Sequence, residues 1–129
     1  MRCTVTGDRY TIFGYEGKQV RDNIHSADVV QAFSRFHAAP KAAAVYNLGG
    51  GRASNVSMLE AIEKCQRIAG RELDYELSDQ ARAGDHRWWI SDLSAFQADY
   101  PGFEITYGID EVLQEIHDAN VEHWQAPVA

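Results

Sequence analysis

Long apolar runs are missing from this chain, cysteine is scarce, and positive charge nearly vanishes from its second half. The longest apolar stretches fall far short of the roughly 20 residues that a membrane-spanning helix needs, so no membrane partner is expected. Only two cysteines occur, Cys3 and Cys65. They have no metal-ligand spacing with each other or with His25, His37, His86, His117 and His123, so no metal site is expected. The opening residues MRCTVTGDRY do not read as an export signal, which makes free thiols and a cytoplasmic location the expectation. Residues 71 to 129 hold three Lys/Arg against thirteen Asp/Glu, and residues 1 to 70 hold nine against six. No basic stripe with interleaved aromatics runs along the chain, so nucleic acid is not an expected partner, and an anion site should lean on the first half.

With 129 residues, 45% of them hydrophobic and 11% aromatic, the chain fits one globular domain of mixed α/β class. Tyr10 to Phe13 is β-branched and aromatic and runs into the turn Gly14-Tyr15-Glu16-Gly17, which predicts a strand and then a turn. Val20 to Ile24 reads as a second short strand. Ser26 is placed to cap a helix with Val29, Val30, Phe33 and Phe36 on its apolar face, ending before Pro40. Ala44 to Leu48 is an uninterrupted apolar run until Asn47, as in a parallel strand covered on both faces. Ser57-Met58-Leu59-Glu60 fits a capping box, followed by a helix that Gly70 ends. Leu73 to Leu77 reads as a strand and residues 78 to 91 as a polar loop whose Trp88-Trp89 pair is read as core. Asp92 should cap a short helix through Leu93 and Phe96. A last helix carries Ile109, Val112, Leu113, Ile116 and Trp124 on one face.

Gly49-Gly50-Gly51, between a strand and a helix, invites comparison with a dinucleotide-binding loop. Such a loop works because its glycines lie at the helix mouth, where pyrophosphate meets free N–H groups. Here the capping box starts the helix at about Met58, and Ser54 stands where a third glycine belongs. The glycines therefore read as a flexible strand-to-helix connector.

Arg21 lies in a half-buried strand, where an unpaired charge is costly. Asp22 points to the opposite face of that strand and is a poor partner. A bound phosphate and a distant acid are equally good partners from the local sequence. Arg82-Ala83-Gly84-Asp85 combines a cation, a glycine that allows close backbone approach and a carboxylate able to accept from hydroxyl groups, although such a loop is also common surface chemistry. No G-x-S-x-G elbow is present.

The order of the stretches YTIFGYEGKQVRDNIHSADVVQAF, VYNLGGGRASNVSMLEAI and RAGDHRWWISD resembles the C-terminal half of the extended short-chain dehydrogenases/reductases that act on nucleotide sugars, the NAD-dependent epimerase/dehydratase family. GYEGKQVRDNIHS and GDHRWWISD bring it nearest to the branch that epimerises CDP-sugars at C2. The resemblance implies an enzyme whose tightly held NAD oxidises the sugar at C2 and returns the hydride to the other face. It also implies that Arg21 and Arg82 grip the diphosphate of a CDP-sugar, that Asp85 accepts from a ribose hydroxyl, that Phe13 lines the base pocket, and that Gln19 adds a phosphate or ribose contact.

In that family the NAD loop and the catalytic Tyr-x-x-x-Lys pair lie in the N-terminal half. Four residues after Tyr10, Tyr15, Tyr46, Tyr75, Tyr100 and Tyr107 stand Gly14, Gln19, Gly50, Asp79, Glu104 and Glu111, none of them lysine. The chain is therefore expected to be the substrate-binding part alone, with no catalytic residue and no NAD of its own, starting at a Met1 followed by a strand-like segment. The strand at Val45 to Leu48 would then lack the sheet it should join, and an exposed apolar edge predicts a homo-oligomer.

Overall fold

The computed structural model describes residues 1–81 and 83–126. In chain order it contains α1 (Arg2–Thr6), β1 (Tyr10–Phe13), β2 (Val20–Asp22), α2 (Ser26–Ala38), β3 (Asn55–Ser57), α3 (Met58–Ala69), β4 (Tyr75–Ser78), α4 (Ser94–Asp99) and α5 (Ile109–Gln125). The strands form two small ribbons. β1 and β4 run parallel, with Tyr10 opposite Tyr75 and Phe13 opposite Ser78, and β2 and β3 run antiparallel, with Val20 opposite Ser57.

Local sequence sets several of these boundaries. The Ser57 hydroxyl accepts the Glu60 amide while the Glu60 carboxylate accepts the Ser57 amide, which satisfies two orphan N–H groups at the start of α3. Gly70 ends that helix in the left-handed conformation, at φ 64°. The Asp92 carboxylate takes the Ser94 amide at 2.9 Å as α4 begins. On α2 the cap is one residue earlier than expected. His25, not Ser26, is the extended residue, and its Nδ1 accepts the Ala27 amide at 3.1 Å.

Three further expectations are overturned. The residues after Met1 form the helix α1, which packs against α3 and α5 and buries Thr4 and Val5. Residues 44–48 form no strand. Among the described residues nothing lies alongside to complete a ladder, so only one side of the segment is packed. Tyr46 turns inward against Phe96 and Tyr100, whereas Val45 stays 91% exposed. The apolar face of α2 is also largely uncovered, with Val30 62% and Phe33 64% exposed. The helix instead buries Asp28 and Ala32. The Asp28 carboxylate is wholly buried and accepts from the Thr106 amide at 3.1 Å, the Thr106 hydroxyl and the Tyr107 amide at 3.3 Å. Satisfying those donors fixes the rotation of α2 and puts Ala32 into a cluster with Phe96, Tyr100 and Phe103.

The glycine corner is not a flexible connector, because Gly49, Gly50 and Gly51 are all buried. A Cβ on Gly49 would lie 2.3 Å from Asp22 Oδ2, and one on Gly50 would lie 2.0 Å from the Asn23 carbonyl oxygen. Asp22 holds the corner, since its Oδ2 accepts from the Gly51 amide at 2.9 Å and the Ser91 amide at 3.0 Å. The glycines serve close packing.

Candidate nucleotide-binding site

β1 ends at Phe13, and the chain turns through a 3-10 segment, Tyr15–Gly17. Tyr15 and Glu16 both adopt positive φ, 50° and 53°, a conformation that costs a non-glycine residue about 1–2 kcal/mol. Contacts around the turn hold it in this strained form. The Tyr15 hydroxyl donates to the Asp85 carbonyl at 3.1 Å, and the Arg87 guanidinium lies 4.8 Å from the centre of the Tyr15 ring, a cation–π arrangement. Glu16 accepts from the Lys18 ammonium, whose hydrogen bond and charge hold the Glu16 carboxyl below its ordinary pKa.

The turn leads into Gln19, whose amide donates to the Phe13 carbonyl at 3.2 Å, and then into β2. The polar loop is stitched to β2 as a further short rung. The Val20 amide donates to the Arg87 carbonyl at 2.9 Å, and the Trp89 amide donates to the Val20 carbonyl at 3.1 Å. This brings Asp85 to Arg21 across 64 positions of sequence, with Arg21 Nη2 to Asp85 Oδ1 at 2.7 Å. Arg21 Nη1 also donates to the Val20 carbonyl at 2.8 Å. The acid on Arg21 is thus a distant one and not its neighbour Asp22.

Four of the five residues singled out in the sequence can be placed. Phe13, half exposed, and Gln19 touch each other, as do Arg21 and Asp85, and β2 and the turn join the two pairs. Arg82 lies outside the described residues. Tyr15 and Arg87 were not foreseen; the Arg87-Trp88-Trp89 run was the available signal. The two tryptophans are surface residues and not core, at 63% and 48% exposed; the rung on Val20 uses the Arg87 carbonyl and the Trp89 amide and leaves both rings outside.

Two hollows flank Trp88. The larger, about 710 Å³, takes Arg52 but also Asp92 and Glu104 from its walls. The smaller, about 450 Å³, is lined by Tyr15, Glu16, Lys18, Arg87 and Trp88. The second carries two cations, Lys18 and Arg87, against the one acid Glu16, and its Tyr15 is bonded to the Asp85 backbone, but Phe13, Gln19, Arg21 and Asp85 line neither hollow. Arg21 and Asp85 have side chains 34% and 30% exposed, so their ion pair is screened and worth at most about 1 kcal/mol. Two of the guanidinium's five N–H donors are engaged in the bonds described, and the others can meet an incoming oxyanion.

The fold that carries this site is that of the C-terminal part of the nucleotide-sugar epimerases of the short-chain dehydrogenase/reductase type. No protein-family model and no curated protein matches the chain. Its solved structural neighbours include nucleotide-sugar epimerases and a dehydratase in complex with NAD. A mutant UDP-glucuronic acid 4-epimerase from Bacillus cereus, in complex with UDP-4-deoxy-4-fluoro-glucuronic acid and NAD, matches 95% of the chain with a TM-score of 0.81 at 20% identity. MoeE5 in complex with UDP-glucuronic acid and NAD matches 95% of the chain with a TM-score of 0.76 at 30% identity. The UDP-glucose 4-epimerase from Bifidobacterium longum, in complex with NAD+ and UDP, matches 94% with a TM-score of 0.77 at 22% identity. The chain spans 38% of the length of each of these three.

Proposed function

We propose that this chain is the nucleotide-sugar-binding part of an NAD-dependent epimerase, of the kind that interconverts CDP-paratose and CDP-tyvelose at C2. The observation that carries the reading is the meeting of Arg21 and Asp85 beside Phe13 and Gln19, in a fold whose solved counterparts are complexes with UDP-sugars or UDP. The preference for a CDP-sugar rests on the stretches GYEGKQVRDNIHS and GDHRWWISD.

In this reading the diphosphate takes the donors of Arg21 that Asp85 and Val20 leave over, with Arg82 as its second cation. Asp85 keeps one oxygen on Arg21, which holds the guanidinium in place, and offers the other to a ribose hydroxyl. The base lies against Phe13, and Gln19 supports the phosphate or ribose. Anchoring the nucleotide in this way lets the sugar turn its other face to the hydride donor.

NAD supplies the hydride chemistry in such enzymes, and the described residues do not fit it. α3 starts at Met58, and the glycines ahead of it are packed on Asp22 and Asn23, so no pyrophosphate can approach a helix mouth there. With no Tyr-x-x-x-Lys pair either, the chain by itself binds substrate and does not turn it over. The exposed apolar residues Val30 and Phe33 on α2, and Val45, are where the NAD-binding part would pack. On the chain by itself these exposed apolar residues would favour self-association.

The ion pair itself favours a second reading, in which Arg21 only fastens the 83–89 loop to β2. Calorimetric titration with CDP, UDP and NAD tests the proposal. Saturable binding of CDP, stronger than UDP, with no heat from NAD is the expected result. Silence with both nucleotides from a folded sample removes the proposal and leaves the fastening role.

A further inference from the structure

A cavity of about 320 Å³ beneath α1 is untouched by the nucleotide reading. Both cysteines and both methionines of the chain, Cys3, Cys65, Met1 and Met58, line it. The rest of its wall is largely apolar, with Ile62, Leu73 and Leu113 among the residues. Cys3 and Cys65 are free thiols, and among the described residues no three His, Cys, Asp or Glu side chains stand close enough to hold a metal ion. A wall of polarisable sulphur favours the edge and face of an aromatic ring.

Arg2 and Tyr10 also line the cavity, and one polar residue of its wall is buried. Thr4 lines the cavity, is 1% exposed, and its hydroxyl has no hydrogen-bond partner among the described residues. A buried hydroxyl without a partner lowers stability, and one χ1 step exchanges the positions of its oxygen and its methyl group. An apolar cavity of roughly 150 Å³ is already enough to take benzene. We propose that the cavity is a binding site for a small aromatic alcohol of the phenol class, the ring among the sulphur atoms and the ligand hydroxyl paired with Thr4. This site stands apart from the nucleotide site and does not depend on it.

Titration with phenol and with benzene, followed by NMR shifts of the α1 and α3 amides, tests the proposal in the wild type, Thr4→Val and Ala61→Phe. Phenol should bind the wild type at about 1 mM or tighter and about fivefold better than benzene, one hydrogen bond's worth. Thr4→Val, close to isosteric, should bind both equally and unfold at higher denaturant. Ala61→Phe, which fills the space, should bind neither. Phenol should also slow alkylation of Cys3 in the wild type, a readout that needs no variant. Absence of phenol binding, a phenol preference retained in Thr4→Val, or binding retained in a folded Ala61→Phe protein would each overturn the assignment.

Discussion

Replacing Asp28 by alanine tests the argument about how α2 is oriented. The carboxylate is wholly buried and accepts from the Thr106 amide, the Thr106 hydroxyl and the Tyr107 amide. Hydrogen bonds to a charged group contribute about 1.5–3 kcal/mol each, and a donor left buried without an acceptor costs about 1–3 kcal/mol. Thr106 is exposed and Tyr107 half-buried, so water can reach part of the vacated space and the low end applies. The expected loss is about 2–4 kcal/mol, a large share of the 5–15 kcal/mol typical of a domain. Urea unfolding followed by tryptophan fluorescence measures it. Asp28→Asn, which keeps one acceptor oxygen but turns an amide N–H₂ toward a donor, should fall between wild type and Asp28→Ala. An Asp28→Ala midpoint equal to wild type would refute the claim that this carboxylate orients the helix.

Gly50→Ala sets a methyl group 2.0 Å from a backbone oxygen that cannot swing away, so a loss of about 1–3 kcal/mol or more is expected; an unchanged thermal midpoint would contradict the packed glycine corner. Asp99 is held below its ordinary pKa, first by the Lys41 hydrogen bond and then by that of Tyr46. Its contribution to stability is therefore present above its unfolded pKa and lost as pH falls through the lower folded value. Denaturant midpoints should fall below about pH 4, and Asp99→Asn should flatten that limb; parallel acid limbs would count against the assignment. Sedimentation should show concentration-dependent association of the wild type, relieved in the Val30→Glu, Phe33→Glu double variant, and equal behaviour of the two would sink the proposed role of that face.

Where structure follows from neighbours in sequence, the chain was readable. The capping box of α3 and the left-handed Gly70 depend on contacts within a few residues, and β1 and the amphipathic α5 show in the pattern of their own residues. The orientation of α2 depends on Asp28 meeting Thr106, 78 positions away, and no local pattern of apolar residues contains that information. Periodicity accordingly chose the face with Phe33, the one left uncovered. Residues 44–48 have the composition of a buried parallel strand, but a strand needs a partner, and none lies beside them among the described residues. The candidate site was legible as residue types and not as pairs. An arginine in a half-buried strand announced a missing partner, yet only the rung between Val20 and Trp88 shows how Asp85 becomes that partner. Tyr15 and Arg87 stayed hidden because their part lies in a strained turn that composition alone describes simply as a turn.

The central claim is that Arg21, though paired with Asp85, is a grip for a nucleotide diphosphate. Calorimetric titration of CDP into the wild type and into Arg21→Gln, with urea unfolding of both proteins, tests it most directly. The account predicts that the variant binds at least about tenfold more weakly while its stability stays within about 1 kcal/mol of wild type, as a screened ion pair requires. Equal CDP binding by the two proteins, or none by a folded wild type, would contradict it.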